Sequence, residues 1–280
     1  MKVGLVTDSN SQLPPDLAKA LGVEVVALPV TVGDRPHREG VDLDPDDFYE
    51  QLTAGEAVTT SQPSPGELAG AYGRLLERGC DRIVSVHVGG DYSGTVNSAR
   101  LAAELVPAPV DVVDSGQASF SLGLAVMAAA EARSAGAHHD EMISAAQWVV
   151  DRVRNVFVMD GVALARASGR VDVTDLEHYE DRPEIPVMTF EHGELVIVGV
   201  AGDLAEAAVI MFDAVAEDAD GPIRAGVGVA HRSLFSFYDE FDDAVAVRSN
   251  IEVVRYRCGP TVGAFTGAGT MGACWVPLRA

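Results

Sequence analysis

Short apolar runs alternate with helical patterns along the first half of the chain, and each run adjoins a turn rich in hydroxyl side chains. The four runs, each with its turn, are 3–6 with 7–11, 82–88 with 89–95, 110–113 with 114–117, and 57–58 with 59–64. Short β-branched runs of this kind are typical of buried strands. A repeated order of strand, turn and helix predicts a parallel sheet with helices on both faces and all four turns at its carboxyl edge.

The first half of the chain also contains residues that mark where helices begin and end. Pro45 stands at a first helical position, and Ser64 with Glu67 forms a capping box, in which each side chain binds the other residue's backbone amide. The predicted helices are 14–21, 44–55, 64–79, 94–105, 121–135 and 140–155.

After about Asn155 the order of elements changes. Strands at 184–190 and 195–200 flank the turn 191–194, which is the pattern of an antiparallel hairpin. The other predicted elements are strands at 157–159, 224–230, 251–257 and 271–276, and helices at 161–167, 203–216 and from 233. The sequence therefore predicts two α/β domains, 1–155 with a parallel sheet and 156–280 with a mixed sheet.

Composition limits the partners and the compartment. Twenty basic and 42 acidic residues give a net charge of −22, which repels nucleic acid and anionic membrane surfaces. The three cysteines are widely spaced, which favours a reducing compartment over disulfides. The longest apolar run, 122–130, is too short to span a bilayer, and Asp8 interrupts the first one. We expect a cytoplasmic protein with no signal peptide, no transmembrane segment and no nucleic-acid partner.

Two of the turns carry more polar groups than a turn needs. The segment 59–65 places three hydroxyls and an amide ahead of the helix cap Ser64, and the segment 89–95 combines glycines with Ser93 and Thr95. The plain interpretation is helix capping, with Ser93 as an N-cap. The functional interpretation, which we favour, is an anion site, since hydroxyls and helix N-terminal amides suit a carboxylate or a phosphate.

Motifs for catalysis, cofactors and metals are sparse. We find no G-x-S-x-G elbow and no P-loop lysine. Residues 267–272 match G-x-G-x-x-G, but too little chain follows for a dinucleotide site, so we expect a flexible glycine loop. The seven histidines lack metal-ligand spacing, and the acidic run around His178 is typical of a solvated face. No metal and no cofactor are predicted.

Short motifs of this chain resemble the DegV family, in the same order and along essentially its whole length. They are Thr7-Asp8-Ser9, Pro29-Val30, Phe48-Tyr49, Thr60-Ser61-Gln62-Pro63, Ser93-Gly94-Thr95 with Asn97 and Ala99, Asp114-Ser115, and Ser168-Gly169-Arg170. The resemblance implies two α/β domains holding a long-chain fatty acid between them, without catalysis by this chain. It implies that Thr60 and Ser93 hydrogen-bond the carboxylate, with Ser61 and Gly94 beside them. It also implies a partner, the kinase subunit of bacterial fatty acid kinase, to which such proteins present the carboxylate.

The chain departs from the family pattern at three places. Phe265 replaces the histidine of the family's H-T-G-x-G motif, Gly202 falls where an arginine linked to the kinase is expected, and 172–182 is acidic and polar where an apolar helix is usual. A kinase that meets basic residues there would be repelled, which leaves Arg170 as the retained basic contact.

The alternative, from a different functional class, is an enzyme. Ser93 or Ser61 would be a nucleophile, or the chain would transfer phosphoryl groups like the dihydroxyacetone kinases, which share this general fold. Either serine would need a base within hydrogen-bond reach. His87 is the nearby candidate, and its position in a strand predicts a core residue instead.

Overall fold

The chain forms two compact units in a computed structural model, which describes residues 2–179, 182–191, 193–218, 220–245 and 250–278, with the side chains of 177 and 178 left aside. One unit comprises the chain up to Leu43 together with Val58–Arg152. The other comprises Asp44–Ala57 together with the chain from Val153. The sequence-based division near Asn155 placed Asp44–Ala57 in the first domain, so the two descriptions differ for this segment.

A four-stranded parallel sheet lies at the centre of the first unit. The strands of this unit are β1 Val3–Asp8, β2 Val23–Val26, β3 Pro29–Val32, β4 Arg35–Arg38, β5 Val58–Thr60, β6 Arg82–His87 and β7 Val110–Asp114. The sheet has the order β2-β1-β6-β7, and β1 is parallel to both of its neighbours. The predicted parallel sheet is confirmed, and three of the four hydroxyl turns follow its strands.

The fourth hydroxyl turn belongs to a different sheet. Strand β5 pairs antiparallel with β3 in a three-stranded sheet of order β4-β3-β5, with Thr60 opposite Val30. The prediction that all four turns share one edge is therefore wrong for 59–64. A three-residue strand takes its partner from the rest of the fold, and the β3–β4 hairpin that supplies the partner was not predicted.

Helices cover both faces of the parallel sheet. They are α1 Pro15–Ala20, α3 Pro65–Glu77, α4 Thr95–Ala103, α5 Phe120–Ser134 and α6 His139–Val150, while α2 Pro45–Thr53 belongs to the second unit. The capping box is confirmed: Ser64 N–H donates to Glu67 at 2.8 Å, and Glu67 N–H donates to Ser64 Oγ at 3.2 Å. Leu68, Tyr72 and Leu75 of α3 pack with Val6 and Ile83 of the sheet in one apolar cluster.

A six-stranded mixed sheet forms the second unit. Its strands are β8 Arg154–Val158, β9 Ile185–Glu191, β10 Glu194–Ala201, β11 Ile223–Val229, β12 Ile251–Arg257 and β13 Met271–Pro277. The order is β10-β9-β8-β13-β11-β12, with β11 and β12 parallel and the remaining pairs antiparallel. The mixed sheet and the β9–β10 hairpin confirm the prediction, although His192 in the hairpin turn lies outside the described residues.

The helices of the second unit include one that the sequence pattern did not predict. Besides α2, the α-helices described in this unit are α7 Val162–Ser168, α8 Leu204–Glu217, α9 Ser236–Val245 and α10 Pro260–Thr266. Helix α10 has only seven residues and contains a glycine, so it shows little apolar periodicity, although Pro260 at its first position is a usable signal. Trp275 and Phe237 lie in the apolar core between the sheet and helices α8 and α9.

Helix α2 is held to the second unit by buried polar contacts. Tyr49 is fully buried, and its hydroxyl donates to the Cys258 carbonyl at 2.8 Å. Asp46 accepts the Arg232 N–H at 3.0 Å and the Arg257 guanidinium at 2.7 Å. These contacts explain why the chain leaves the first unit after Leu43 and returns to it at Val58.

Within the described ranges of the chain, no helix is both long enough and apolar enough to cross a membrane.

Candidate ligand-binding site

The first candidate segment is 59–64, which begins within strand β5 and carries the hydroxyls of Thr60 and Ser61. Thr60 is half-buried and Ser61 is exposed, and the Ser61 N–H donates to the Pro29 carbonyl at 3.1 Å. Across the described part of the chain, neither hydroxyl is hydrogen-bonded to another protein group. Both can therefore donate to a ligand without breaking a bond within the protein.

The second candidate segment is the turn between β6 and α4. The Gly89 carbonyl accepts the N–H groups of Tyr92 and Ser93 at 3.0 and 3.1 Å. Ser93 Oγ lies 2.8 Å from Thr95 Oγ1 and accepts the Thr95 N–H at 3.3 Å. The N-cap of α4 is Gly94, which has no side chain to cap the helix, so the alternative interpretation of Ser93 as the N-cap is wrong by one position. The partial positive charge of this helix end is directed towards the turn.

Gln62 and Gly94 bring the two segments together. A Cβ atom built at Gly94 would lie 2.6 Å from Gln62 Cδ and would overlap Oε1, so the amide lies directly on the glycine. No side chain larger than hydrogen fits while Gln62 keeps this position. The structure thus places the T-S-Q-P and S-G-T segments side by side, although they adjoin strands of different sheets, β5 and β6.

The loop after β7 is tied to the turn after β6. Asp114 accepts the N–H groups of Gly90 and Gly116, both at 3.0 Å. Ser115 Oγ donates to the His87 carbonyl at 2.6 Å, and Gly89 N–H donates to the Gln117 carbonyl at 2.8 Å. The predicted turn 114–117 therefore supports the Ser93 turn structurally.

A fully buried polar chain lies beneath the same edge of the sheet. His87 Nδ1 is 2.9 Å from Asp8 Oδ2, His87 Nε2 is 2.7 Å from Ser85 Oγ, and Ser85 Oγ is 3.0 Å from the Tyr72 hydroxyl. All four side chains have no solvent exposure. The order Ser, His, Asp is that of a hydrolase triad, but Ser85 is closed to substrate. His87 is a core residue, as predicted, and both of its nitrogens are already engaged.

Arg170 and Phe265 contact each other within the second unit. The guanidinium carbon of Arg170 lies 4.2 Å from the centre of the Phe265 ring, a cation–π geometry. Arg166, Arg170 and Asp172 line a pocket of about 330 Å³ formed by the segment 166–174. In the acidic segment that follows, Val173 and Leu176 are buried against Met188, while 180 and 181 lie outside the described residues.

The glycine-rich segment 267–272 packs against Asp160 and strand β8. Cβ atoms at Gly267 and Gly269 would collide with the Asp160 carboxyl group, and one at Gly272 would lie 2.6 Å from the Val156 carbonyl oxygen. The segment leads into β13 and precedes no helix, so it is not a dinucleotide loop. In the parts of the chain described here, no three His, Cys, Asp or Glu side chains are grouped to hold a metal ion.

Comparison with known proteins shows the family to which this chain belongs. The family model described as "Uncharacterised protein, DegV family" matches residues 2–278. The chain belongs to the DegV family. A DegV domain-containing protein from Streptomyces coelicolor is 31% identical over 274 residues, covering 96% of each chain. One from Mycobacterium tuberculosis is 31% identical over 278 residues, covering 98% of this chain and 97% of the relative.

Two solved DegV structures share the whole fold. A DegV family protein from Thermus thermophilus, described by its fatty acid binding, has a TM-score of 0.88 at 29% identity over 99% of this chain and 100% of its own. DegV from Bacillus subtilis, described as a fatty acid binding protein, has a TM-score of 0.86 at 26% identity with the same coverage. The predicted family and fold class are thereby confirmed.

Sequence reasoning did not select two residues that the DegV fold uses here. Gln62 was quoted within T-S-Q-P but given no role, and its contact with Gly94 depends on the pairing of β5. Asp8 was placed in a hydroxyl turn, whereas it is the buried carboxylate at the end of β1. A lone aspartate that ends a buried strand is the signal that points to it.

Proposed function

We propose that this DegV protein binds a long-chain fatty acid, with the carboxylate hydrogen-bonded by Thr60 and Ser93 and with Ser61 and Gly94 beside it. The observation that carries the proposal is the contact of Gln62 with Gly94, which brings the two hydroxyl segments together in the first unit. Support comes from the Thermus thermophilus and Bacillus subtilis relatives, both described as binding fatty acid.

The chemistry of the two segments suits a carboxylate. Hydroxyl donors to a charged group are each worth about 1.5–3 kcal/mol, and the N-terminus of α4, whose N-cap Gly94 has no side chain, adds favourable partial charge. Local donors of this kind are needed because the net charge of −22 opposes an anion. Each buried methylene of the acyl chain would add roughly 0.8 kcal/mol, so the chain supplies most of the affinity.

The test is a titration of palmitate into delipidated protein. The variant carrying Thr60→Ala and Ser93→Ala should bind at least about a hundredfold more weakly, since two charged hydrogen bonds are lost. Thr59→Ala is the matched control, because Thr59 precedes Thr60 in β5 and points to the opposite face of that strand. Equal affinity of the double variant and the wild type would refute the assignment of the head-group site.

A phosphoryl-transfer or hydrolytic function has less support. A nucleophilic Ser93 needs a base, and its hydroxyl is instead paired with Thr95. His87 serves Ser85 and Asp8. We therefore assign no catalytic residue to this chain and place any chemistry on the acyl group in a partner.

We further infer that coupling to a fatty acid kinase subunit is weak or needs a partner with a basic face. Gly202 offers no cation, and its N–H is bound by Glu206 at 2.7 Å. Arg170 is the proposed partner contact, held over the Phe265 ring beside Asp172. None of the three cysteines, all of which lie in the described residues, is in a disulfide, and this supports a reducing compartment such as the cytoplasm.

A further inference from the structure

Three hydrogen-bond donors converge on the buried carboxylate of Asp8. Val88 N–H donates to Oδ2 at 3.0 Å, and Asn10 N–H donates to Oδ1 at 3.1 Å. His87 Nδ1 lies 2.9 Å from Oδ2. Asp8 itself has no solvent exposure, so its charge is balanced by these donors rather than by water.

An ionised Asp8 carboxylate would set the direction of the hydrogen bonds behind it. Because such a carboxylate only accepts, a neutral His87 ring beside it would carry its hydrogen on Nδ1. Nε2 is then an acceptor and takes the hydroxyl hydrogen of Ser85, whose oxygen in turn accepts from Tyr72. Burial raises the pKa of Tyr72 to about 12, which keeps that hydroxyl protonated as a donor.

Asp8 is connected to the turn that carries Ser93 through the backbone amide of Val88. Val88 precedes Gly89, whose carbonyl accepts the N–H groups of Tyr92 and Ser93. A second arm runs through Asn10, whose side-chain oxygen accepts the Ser119 N–H at 2.9 Å. Asp8 therefore holds together the loops that follow β1, β6 and β7.

We propose that Asp8 is a positioning residue for the acyl head group, acting through Val88 to hold the Ser93 turn where its hydroxyl meets a carboxylate. This rests on the proposed function. Its specific consequence is discrimination: Asp8 contributes to the preference for a free fatty acid over its neutral ester and not to the affinity for the acyl chain.

The decisive variant is Asp8→Asn, which keeps the shape and removes one acceptor oxygen. Its amide nitrogen would face either the Val88 N–H or the Asn10 N–H, so one backbone donor loses its partner. We expect the ratio of palmitic acid affinity to methyl palmitate affinity to fall about tenfold or more, with the ester affinity nearly unchanged. Tyr72→Phe is the control, because it removes the far end of the chain and should change the ratio by less than about twofold.

Wild-type protein gives a second measurement that does not depend on the variant folding. Nitrogen-15 NMR should show His87 as the Nδ1–H tautomer. In Asp8→Asn a change to Nε2–H would show that the amide nitrogen faces Val88 and donates to Nδ1, and an unchanged ring would show that it faces Asn10. An Nε2–H ring in the wild type, or an unchanged affinity ratio in folded Asp8→Asn, would overturn the proposal. Wild-type protein that binds neither lipid would instead refute the proposed function.

Discussion

Gly94 has no side chain, and this allows the hydroxyl-rich segments 59–65 and 89–95 to approach each other closely. The backbone there has φ −72°, which any residue adopts, so Gly94→Ala introduces no backbone strain. The new methyl group would displace the flexible Gln62 side chain. We expect palmitate affinity to fall while the free energy of unfolding changes by less than about 1 kcal/mol.

The matched comparisons use the neighbouring residues. Adding Gln62→Ala to Gly94→Ala removes the overlap and should recover part of the affinity, which a double-mutant cycle in palmitate titration would show. Gly89→Ala should behave differently, because its Cβ would lie 2.8 Å from the Gly116 backbone, which cannot move aside. We expect it to destabilise the protein by about 1–3 kcal/mol. Gly94→Ala with wild-type affinity would contradict the importance of this contact.

At the scale of elements, helix α2 depends on a charged contact with a defined pH dependence. Burial raises the pKa of Asp46, but hydrogen bonds from Arg257 and from the Arg232 N–H, with the charges of both arginines, lower it more, so the net pKa is below 3.8. A carboxyl group whose pKa is lower in the folded state stabilises that state at every pH above its unfolded-state pKa. This stabilisation is lost as the pH falls through the folded-state pKa.

The measurement is urea unfolding of wild type and Asp46→Asn at a series of pH values. The wild type should be more stable by a constant amount at neutral pH, and the difference should shrink below about pH 4. Asp47→Asn is the control, since Asp47 is its exposed neighbour in α2. A difference that grows on acidification would show that the Asp46 contacts do not stabilise the folded state.

Elements with local signals could be predicted from the sequence, and elements defined by distant partners could not. The capping box at Ser64 and the cap at Asp44 depend on neighbours within three residues, and the helices they begin were found. Strand β5 was predicted but assigned to the wrong sheet, because no residue near it in the sequence indicates that it pairs with β3. The docking of α2 depends on Cys258, 209 residues away from Tyr49, and no local pattern shows it.

The candidate site divides in the same way. The hydroxyl-rich segments 59–65 and 89–95 stand out by composition, and the resemblance to the DegV family selected Thr60 and Ser93 within them. The residues that connect the segments did not stand out, because Gln62 and Asp8 act across chain separations set by the sheets. The ligand-binding hydroxyls could thus be proposed from the sequence, whereas the residues that hold them in place could be identified only from the fold.

At the scale of the whole molecule, the acidic charge and the departures from the family pattern argue against an ordinary kinase partner. We expect little acyl phosphate when this protein, loaded with palmitate, is mixed with the kinase subunit of a typical bacterial fatty acid kinase and ATP. Like charges across an interface lower the association rate and the affinity. Gly202→Arg with Phe265→His should increase the yield. Efficient phosphorylation of the lipid on the unchanged chain would show that the departures do not matter.

The identity of the bound molecule tests the account most directly. Native mass spectrometry of the protein purified from cells should show a retained mass equal to a long-chain fatty acid, released on denaturation as the free acid. The variant carrying Thr60→Ala and Ser93→Ala, purified in the same way, should retain much less of it. A wild-type protein that carries no acyl mass and takes none up from added palmitate would contradict the proposed function.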